Sequence, residues 1–185
     1  WGFFAEIIGR SQSVFLEHAN LIKKLSFPRI CLPLIVVLNA SVNFAIIFAL
    51  FLGFLAVTQN FPGWAVLAVI PLLMIQVAFA IGLGIILGVL NVFFRDVGQL
   101  VGIVLQFWFW LTPIVYPASI LPEGIRPLIE ANPMAALIAA YQGIFVYDQW
   151  PDWSSLGPVT VLAVMMCLLG MRLFRKRSGE MVDEL

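Results

Sequence analysis

Charge is scarce in this chain. Of 185 residues only 11% are Asp, Glu, Lys or Arg, ten of each sign, so the formal net charge is zero; an ordinary soluble domain carries about 25%. That scarcity excludes a disordered tail and a nucleic-acid-binding domain, both of which need uncompensated or abundant charge. There is one histidine, His18, and there are two cysteines, Cys31 and Cys167, too few for a disulfide framework or a metal centre. No GxxxxGK[ST] loop is present, so the chain cannot itself split a nucleotide by the P-loop route. No carboxylate is expected near the middle of a membrane span, which argues against a proton- or sodium-coupled carrier. Nor is there a nucleophile paired with a base, as a membrane hydrolase or acyltransferase would need.

What the chain has instead is apolar length. Hydrophobic residues make up 62% and the mean hydropathy is +1.04, which leaves an integral membrane protein as the remaining class. The apolar residues come in long runs rather than in alternation, so the spans are helices and not barrel strands. Charge-free runs cover Cys31 to Val57, Phe61 to Phe94, Val97 to Pro122 and Trp153 to Met171, each near or above the roughly 20 residues that cross a bilayer. Asn60, Pro62 and Gly63 are turn formers that place a helix start near Trp64. The expectation is an all-α integral membrane protein, a polytopic helix bundle forming one domain over residues 1–185. Residues 1–16 read as the end of a spanning helix whose N-terminal part is missing, 17–29 as a cytoplasmic segment, and 33–57, 64–92 and 97–117 as spans. Residues 118–152 read as an external re-entrant region, 154–172 as the last span and 173–185 as a cytoplasmic tail.

The re-entrant assignment rests on Ala131 to Tyr147, an apolar stretch of only 17 residues opened by Asn132-Pro133. If it does not cross, Arg10, Lys23, Lys24, Arg29, Arg95, Arg172, Arg175, Lys176 and Arg177 share one side and only Arg126 is left on the other, the arrangement favoured by the positive-inside rule. Cys31 and Cys167 then fall near cytoplasmic helix ends, where thiols stay reduced.

Few residues carry chemistry. Glu17 to Arg29 contains Leu21, Ile22 and Leu25 on one stripe with Lys23 and Lys24 outside it, a short surface helix that Pro28 ends before Pro33 opens the next span. It suits either docking to another protein or contact with anionic membrane lipids. Asp96 and Gln99 have the spacing of a capping box for the next span, and Arg95 could reach phosphates or the preceding carbonyls; direct contact with an energising partner is the other reading. His18 reads as an exposed or capping residue, and Glu6 and Arg10 as a surface i, i+4 ion pair. Gly84 with Gly88, and Gly98 with Gly102, read as close helix packing. Phe107, Trp108, Phe109, Trp110 and Tyr116 form an aromatic cluster that either meets lipid and its interface or stacks against sugar rings. Asn39, Ser41 and Asn43 in the first complete span carry a similar ambiguity.

Two strings then find a match. Leu90-Asn91-Val92-Phe93-Phe94-Arg95-Asp96-Val97-Gly98-Gln99-Leu100 and Leu111-Thr112-Pro113-Ile114-Val115-Tyr116-Pro117 resemble the membrane permease subunit of ABC exporters for lipid-linked polysaccharides, the family of O-antigen, capsule and teichoic acid exporters. Glu17 to Pro28 is similar to its cytoplasmic coupling segment and Asn132-Pro133 to the start of its last external helix. The resemblance implies a homodimeric permease, with no cofactor of its own, bound to two copies of an ABC ATPase subunit that holds MgATP. It further implies an undecaprenyl-linked glycan as substrate, membrane lipids as surroundings and the bacterial cytoplasmic (inner) membrane as location, with the C-terminus cytoplasmic. By the same match Glu17, Asn20, Leu21, Ile22, Lys23, Lys24 and Phe27, with Arg95 and Asp96, would couple to the ATPase. Phe107, Trp108, Trp110 and Tyr116 would line the glycan conduit, and Pro133 and Tyr141 would belong to the external gate. No residue is expected to be catalytic or to bind metal. Two other functions remain compatible with the residues: export of a drug or small lipid by a permease of the same superfamily, and modification of a glycan by a membrane-embedded enzyme. The topology predicts that cysteines placed at Ser119 and Ser178 react with an impermeant thiol reagent from opposite faces of the membrane; same-face labelling would refute it.

Overall fold

The structure, a computed structural model, describes residues 1–24, 29–116, 124, 127, 129 and 131–184. Among the described residues the regular structure is helical, with no strand, as lipid requires of a chain that must satisfy its own backbone. The helices are α1 Gly2–Ser11, α2 Val14–Glu17, α3 Ala19–Lys24, α4 Cys31–Val57, α5 Val69–Phe93, α6 Val97–Leu111, α7 Pro133–Tyr147, α8 Trp153–Arg177 and α9 Glu180–Glu184; a 3-10 turn, Trp64–Ala68, leads into α5. Three are long and apolar enough to cross a bilayer: Cys31–Val57, Trp64–Phe93 and Trp153–Arg177. The protein is thus a multi-pass, all-α membrane bundle.

Helix α5 is the axis. It runs parallel to α1 on one side and α8 on the other, and glycines on two of its faces set both distances. A Cβ added at Gly82 would lie 2.5 Å from the backbone nitrogen of Cys167, and one at Gly170 only 2.8 Å from the carbonyl oxygen of Gly82. On the other face a Cβ at Gly84 would meet Ser11 Cβ at 2.7 Å and one at Gly88 the Ser11 carbonyl at 2.6 Å. Gly84 and Gly88 therefore pack as the sequence suggests, whereas Gly102 faces open space. Lipid supplies no hydrophobic drive between helices, so van der Waals fit at such contacts holds the bundle. Phe4, Ile7, Ile8, Leu72, Phe79 and Ala80 fill the space between. Cys167 lies deeper than a helix end, its thiol donating to the Ala78 carbonyl at 2.9 Å; both cysteines are free.

The antiparallel partners α4 and α6 sit outside this core. Along α4, Leu38, Val42, Ile46 and Leu50 are all exposed, as befits a helix that is apolar all round and faces lipid. Helix α6 stops at Leu111, short of residue 117, because Thr112 turns extended (φ −103°, ψ 128°) before Pro113, whose ring disfavours helix in the residue before it. Helix α8 continues through Arg177, whose guanidinium lies over the Phe93 ring. The last turns of α8, the start of α4 and the α5–α6 turn thus share one end of the bundle. Arg29 donates to the Ser178 carbonyl there, and Met181 of α9 is buried with Ile22 of α3 in one apolar cluster. Arg95, Arg172, Arg175, Lys176 and Arg177 gather at this basic end.

Helix α7 occupies half the bundle. Its N-cap, Asn132, bonds to the end of α6, and Pro133 borders a groove shared with Phe79 and Leu83, near the middle of α5. Its other end stops at Asp148 in the left-handed region (φ 48°), where the carboxylate accepts from Gly63 N at 2.8 Å. The chain thus reaches the end of the bundle opposite the basic end, where the Trp64–Ala68 turn leads into α5, and α8 starts there, capped by Asp152. Side-chain and backbone hydrogen bonds from Ser154 hold the Asp152 carboxyl below the usual carboxylate range. Replacing Gly82 by Leu should separate α5 from α8 at a cost of about 1–3 kcal/mol, read as a lower Tm of the purified protein, while Gly102→Ala should leave Tm within a degree or two of wild type.

Candidate functional site

The candidate functional residues that lie within the described structure gather chiefly at two places, the basic end and the aromatic face of α6. At the basic end, α1 breaks after Ser11, and α2 and α3 carry the chain across to α4. Apolar residues turn inward: Val14, Phe15 and Ile22 are buried against Leu32, Val36 and Val89. Ile22 is only 4% exposed, so it serves the fold of this segment rather than its outer surface. Glu17, Asn20, Leu21 and Lys23 face outward and form the candidate docking surface. His18 donates through Nδ1 to the Val14 carbonyl at 2.9 Å, closing the end of α2. The Lys24 side chain and Phe27 lie outside the described residues.

The α5–α6 turn departs from the expected capping box. Asp96 stands at the N-cap of α6, but in helical conformation (φ −69°, ψ −19°) its side chain makes no cap bond. The amide of Gly98 is instead met by Asn91 Oδ1 at 2.9 Å, from the last turns of α5. Asp96 and Arg95 are left exposed and form no ion pair among the described residues. They are two charged groups exposed on the α5–α6 turn at the basic end.

The four neighbouring aromatics of α6 separate by face. Trp108 turns into the bundle: its ring packs edge-on to Phe4 at 5.4 Å between centroids and to Phe79 at 6.2 Å, and Nε1 donates to Asn132 Oδ1 at 2.8 Å. Asn132 also accepts from Met134 N at 3.0 Å and donates to Thr112 Oγ1 at 3.0 Å, so one side chain caps α7 and joins it to α6. Phe107 and Trp110 point out, with Leu100, Ile103 and Val104 along the same exposed face. The Tyr116 hydroxyl donates to the Trp110 carbonyl at 2.7 Å. Tyr141 of α7 donates to buried Gln76 of α5 at 2.9 Å, beside a cavity of about 480 Å³ that Trp1, Phe48 and Phe145 also line.

One group was misplaced by sequence reasoning. Glu6 does pair with Arg10, at 2.8 Å, but the same oxygen accepts from Asn43 Nδ2 at 2.8 Å, and Asn43 lies near the midpoint of Cys31–Val57. A carboxylate therefore does stand level with the middle of a span, corrected from the expectation that none would. The i+4 spacing hinted at the pair; nothing in the sequence fixed the register of α1 against α4. Each such charge costs about 2.5–3.5 kcal/mol at the centre of an inserted helix, which explains why this one is paired twice.

Comparison with known proteins decides the family. The model of the ABC-2 type transporter family matches residues 1–146. The chain belongs to the ABC-2 type transporter family. Similar curated relatives of this ABC-2 transporter are O-antigen export system permease proteins RfbA: one from Myxococcus xanthus is 32% identical over 187 residues, covering 100% of this chain and 72% of the relative. Two from Klebsiella pneumoniae are each 30% identical over 177 residues, covering 95% of the chain and 68% of the relative. Membership makes the protein a transport component rather than an enzyme, and it implies an ATPase partner. Among the described residues no three His, Cys, Asp or Glu side chains come together as a metal site. Replacing Asn132 by Ala should remove the cap of α7 and its bonds to α6, costing on the order of 2 kcal/mol, read as a lower Tm with altered Trp fluorescence as Trp108 loses its partner.

Proposed function

We propose that this ABC-2 transporter is the permease subunit of an exporter that moves undecaprenyl-diphosphate-linked polysaccharide of the O-antigen class across the bacterial cytoplasmic membrane. The observation that carries this reading is the match, over the whole chain, to O-antigen export system permeases. The energy comes from a separate ATPase subunit in two copies, and two permeases form the path between them. Nucleotide-driven closure of the ATPase pair pushes on the outward face of α2 and α3, with Arg95 and Asp96 beside it. The exposed face of α6, with Phe107 and Trp110, gives sugar rings apolar C–H contacts without holding any one of them tightly. Short α7, tied at both ends, covers the far half of the path as its external gate. The positive-inside rule puts the basic end, and with it the C-terminus, in the cytoplasm.

Depletion of the full-length protein is the direct test. Finished undecaprenyl-linked polymer should accumulate inside the cell while surface polymer disappears; unchanged surface polymer in a strain without a second exporter would refute the reading. The docking face makes a sharper prediction. Leu21→Asp alters a residue that is 44% exposed, so the protein should reach the membrane at wild-type level yet export at least tenfold less polymer. Ile22→Asp would instead lower the amount of folded protein, since it buries a charge in the core of the segment.

A further inference from the structure

We infer that Asn91 is a positioning residue that transmits movement of the α1–α3 segment to α6, an inference that rests on the reading of this chain as an ATPase-driven exporter. Two backbone groups here cannot be satisfied by their own helices. Helix α1 ends at Ser11, and the carbonyl of Gln12 that follows has no partner further along α1; helix α6 begins at Val97, and the amide of Gly98 in its first turn has none behind it. Unmet polar groups away from water cost a few kcal/mol each, so something must meet them.

One side chain meets both. Asn91 is buried, 3% exposed, on the last turns of α5. Its Nδ2 donates to the Gln12 carbonyl at 2.8 Å and to Gln12 Oε1 at 3.1 Å; its Oδ1 accepts from Gly98 N at 2.9 Å. A planar amide offers donors on one side and an acceptor on the other, which is the pattern this position needs. The contact is close because residue 98 is a glycine. A Cβ there would lie 2.9 Å from Gln12 Oε1 and 3.3 Å from Asn91 Oδ1. Asp96, in the place where a cap is expected, supplies none, so α6 takes its start from Asn91 instead.

The placement gives the link its role. Gln12 is the joint between α1 and the segment carrying the docking face, and Gly98 is the first turn of the helix carrying the exposed aromatics. Among the described residues Asn91 is the single side chain hydrogen-bonded to both. A shift or tilt of Gln12 must therefore either carry the start of α6 with it or break two bonds in a buried site. The other contacts on this side of α6 are apolar, the rings of Trp1, Phe4, Trp108 and Phe109 and the cluster that holds Ile8 and Val101, and are non-directional.

The test is hydrogen–deuterium exchange on the full-length protein in complex with its ATPase subunit in lipid nanodiscs, with and without a non-hydrolysable ATP analogue. In the wild type, nucleotide should change exchange over residues 12–24 and over residues 97–105 together. In Asn91→Leu the change over 12–24 should remain and that over 97–105 should vanish. ATPase turnover should stay within about twofold while export falls at least tenfold. Asn91→Asp keeps the acceptor for Gly98 but turns an oxygen against the Gln12 carbonyl, and it should uncouple in the same way. Gln12→Ala removes one of the donor's two bonds, and it carries the test if Asn91→Leu does not assemble; its nucleotide response over 97–105 should fall by about half. A residue that merely steadies α6 would raise exchange equally in both nucleotide states and leave the difference intact, which would overturn the proposal. So would a wild-type complex in which 97–105 is indifferent to nucleotide. Loss of the exporter reading looks different: the two segments would respond together, yet no lipid-linked glycan would move.

Discussion

The whole arrangement depends on how closely α5 can be approached. Within a bilayer, burying a leucine gains nothing over leaving it in lipid, so helices associate through fit and through hydrogen bonds. Gly82 and Gly170 let α8 touch the backbone of α5, while Gly84 and Gly88 let the end of α1 do the same on another face. The result is a close-packed parallel trio of α1, α5 and α8, with α4 and α6 at its flanks and α6 joined to α5 where Asn91 meets Gly98.

The second constraint is that every break in a helix has to be repaired by a side chain. There are two such breaks around α6, and an asparagine serves each. Asn91 meets the end of α1 and the start of α6; Asn132 caps α7 and ties it to Trp108 and Thr112 at the far end of α6. Asparagine suits both places because its one amide donates and accepts without charge. The aromatic helix is thereby pinned at both ends, and its outward face, from Leu100 to Trp110, is left exposed.

Much of this was legible in the sequence, and the reasons differ by feature. The spans could be read because charge is costly in hydrocarbon, so gaps between charges mark helices; α4, the Trp64–Phe93 helix and α8 lie where those gaps are. That α7 is a short apolar helix was legible from the length of its uncharged stretch. Gly84 and Gly88 declared their packing by spacing, but Gly82 did not, since its partner Gly170 lies on a distant helix. Trp108 could not be told from Phe107 and Trp110 without the rotation of α6. The depth of Glu6 depends on the register of α1 against α4, and the capping role of Asn91 depends on Asp96 turning helical; both are tertiary facts. The polysaccharide entered only through resemblance to a family, for no residue taken alone names a sugar.

In the proposed function this chain forms a path and leaves the energy to a partner. The measurement that addresses this most directly uses the full-length protein and its ATPase subunit, reconstituted into vesicles loaded on the outer leaflet with undecaprenyl-linked glycan. The account predicts that ATP makes the glycan inaccessible to an added glycosidase, that this protection needs the ATPase subunit, and that the glycan itself is chemically unchanged. Protection that is independent of ATP, or conversion of the glycolipid to a new product by the permease alone, would contradict it.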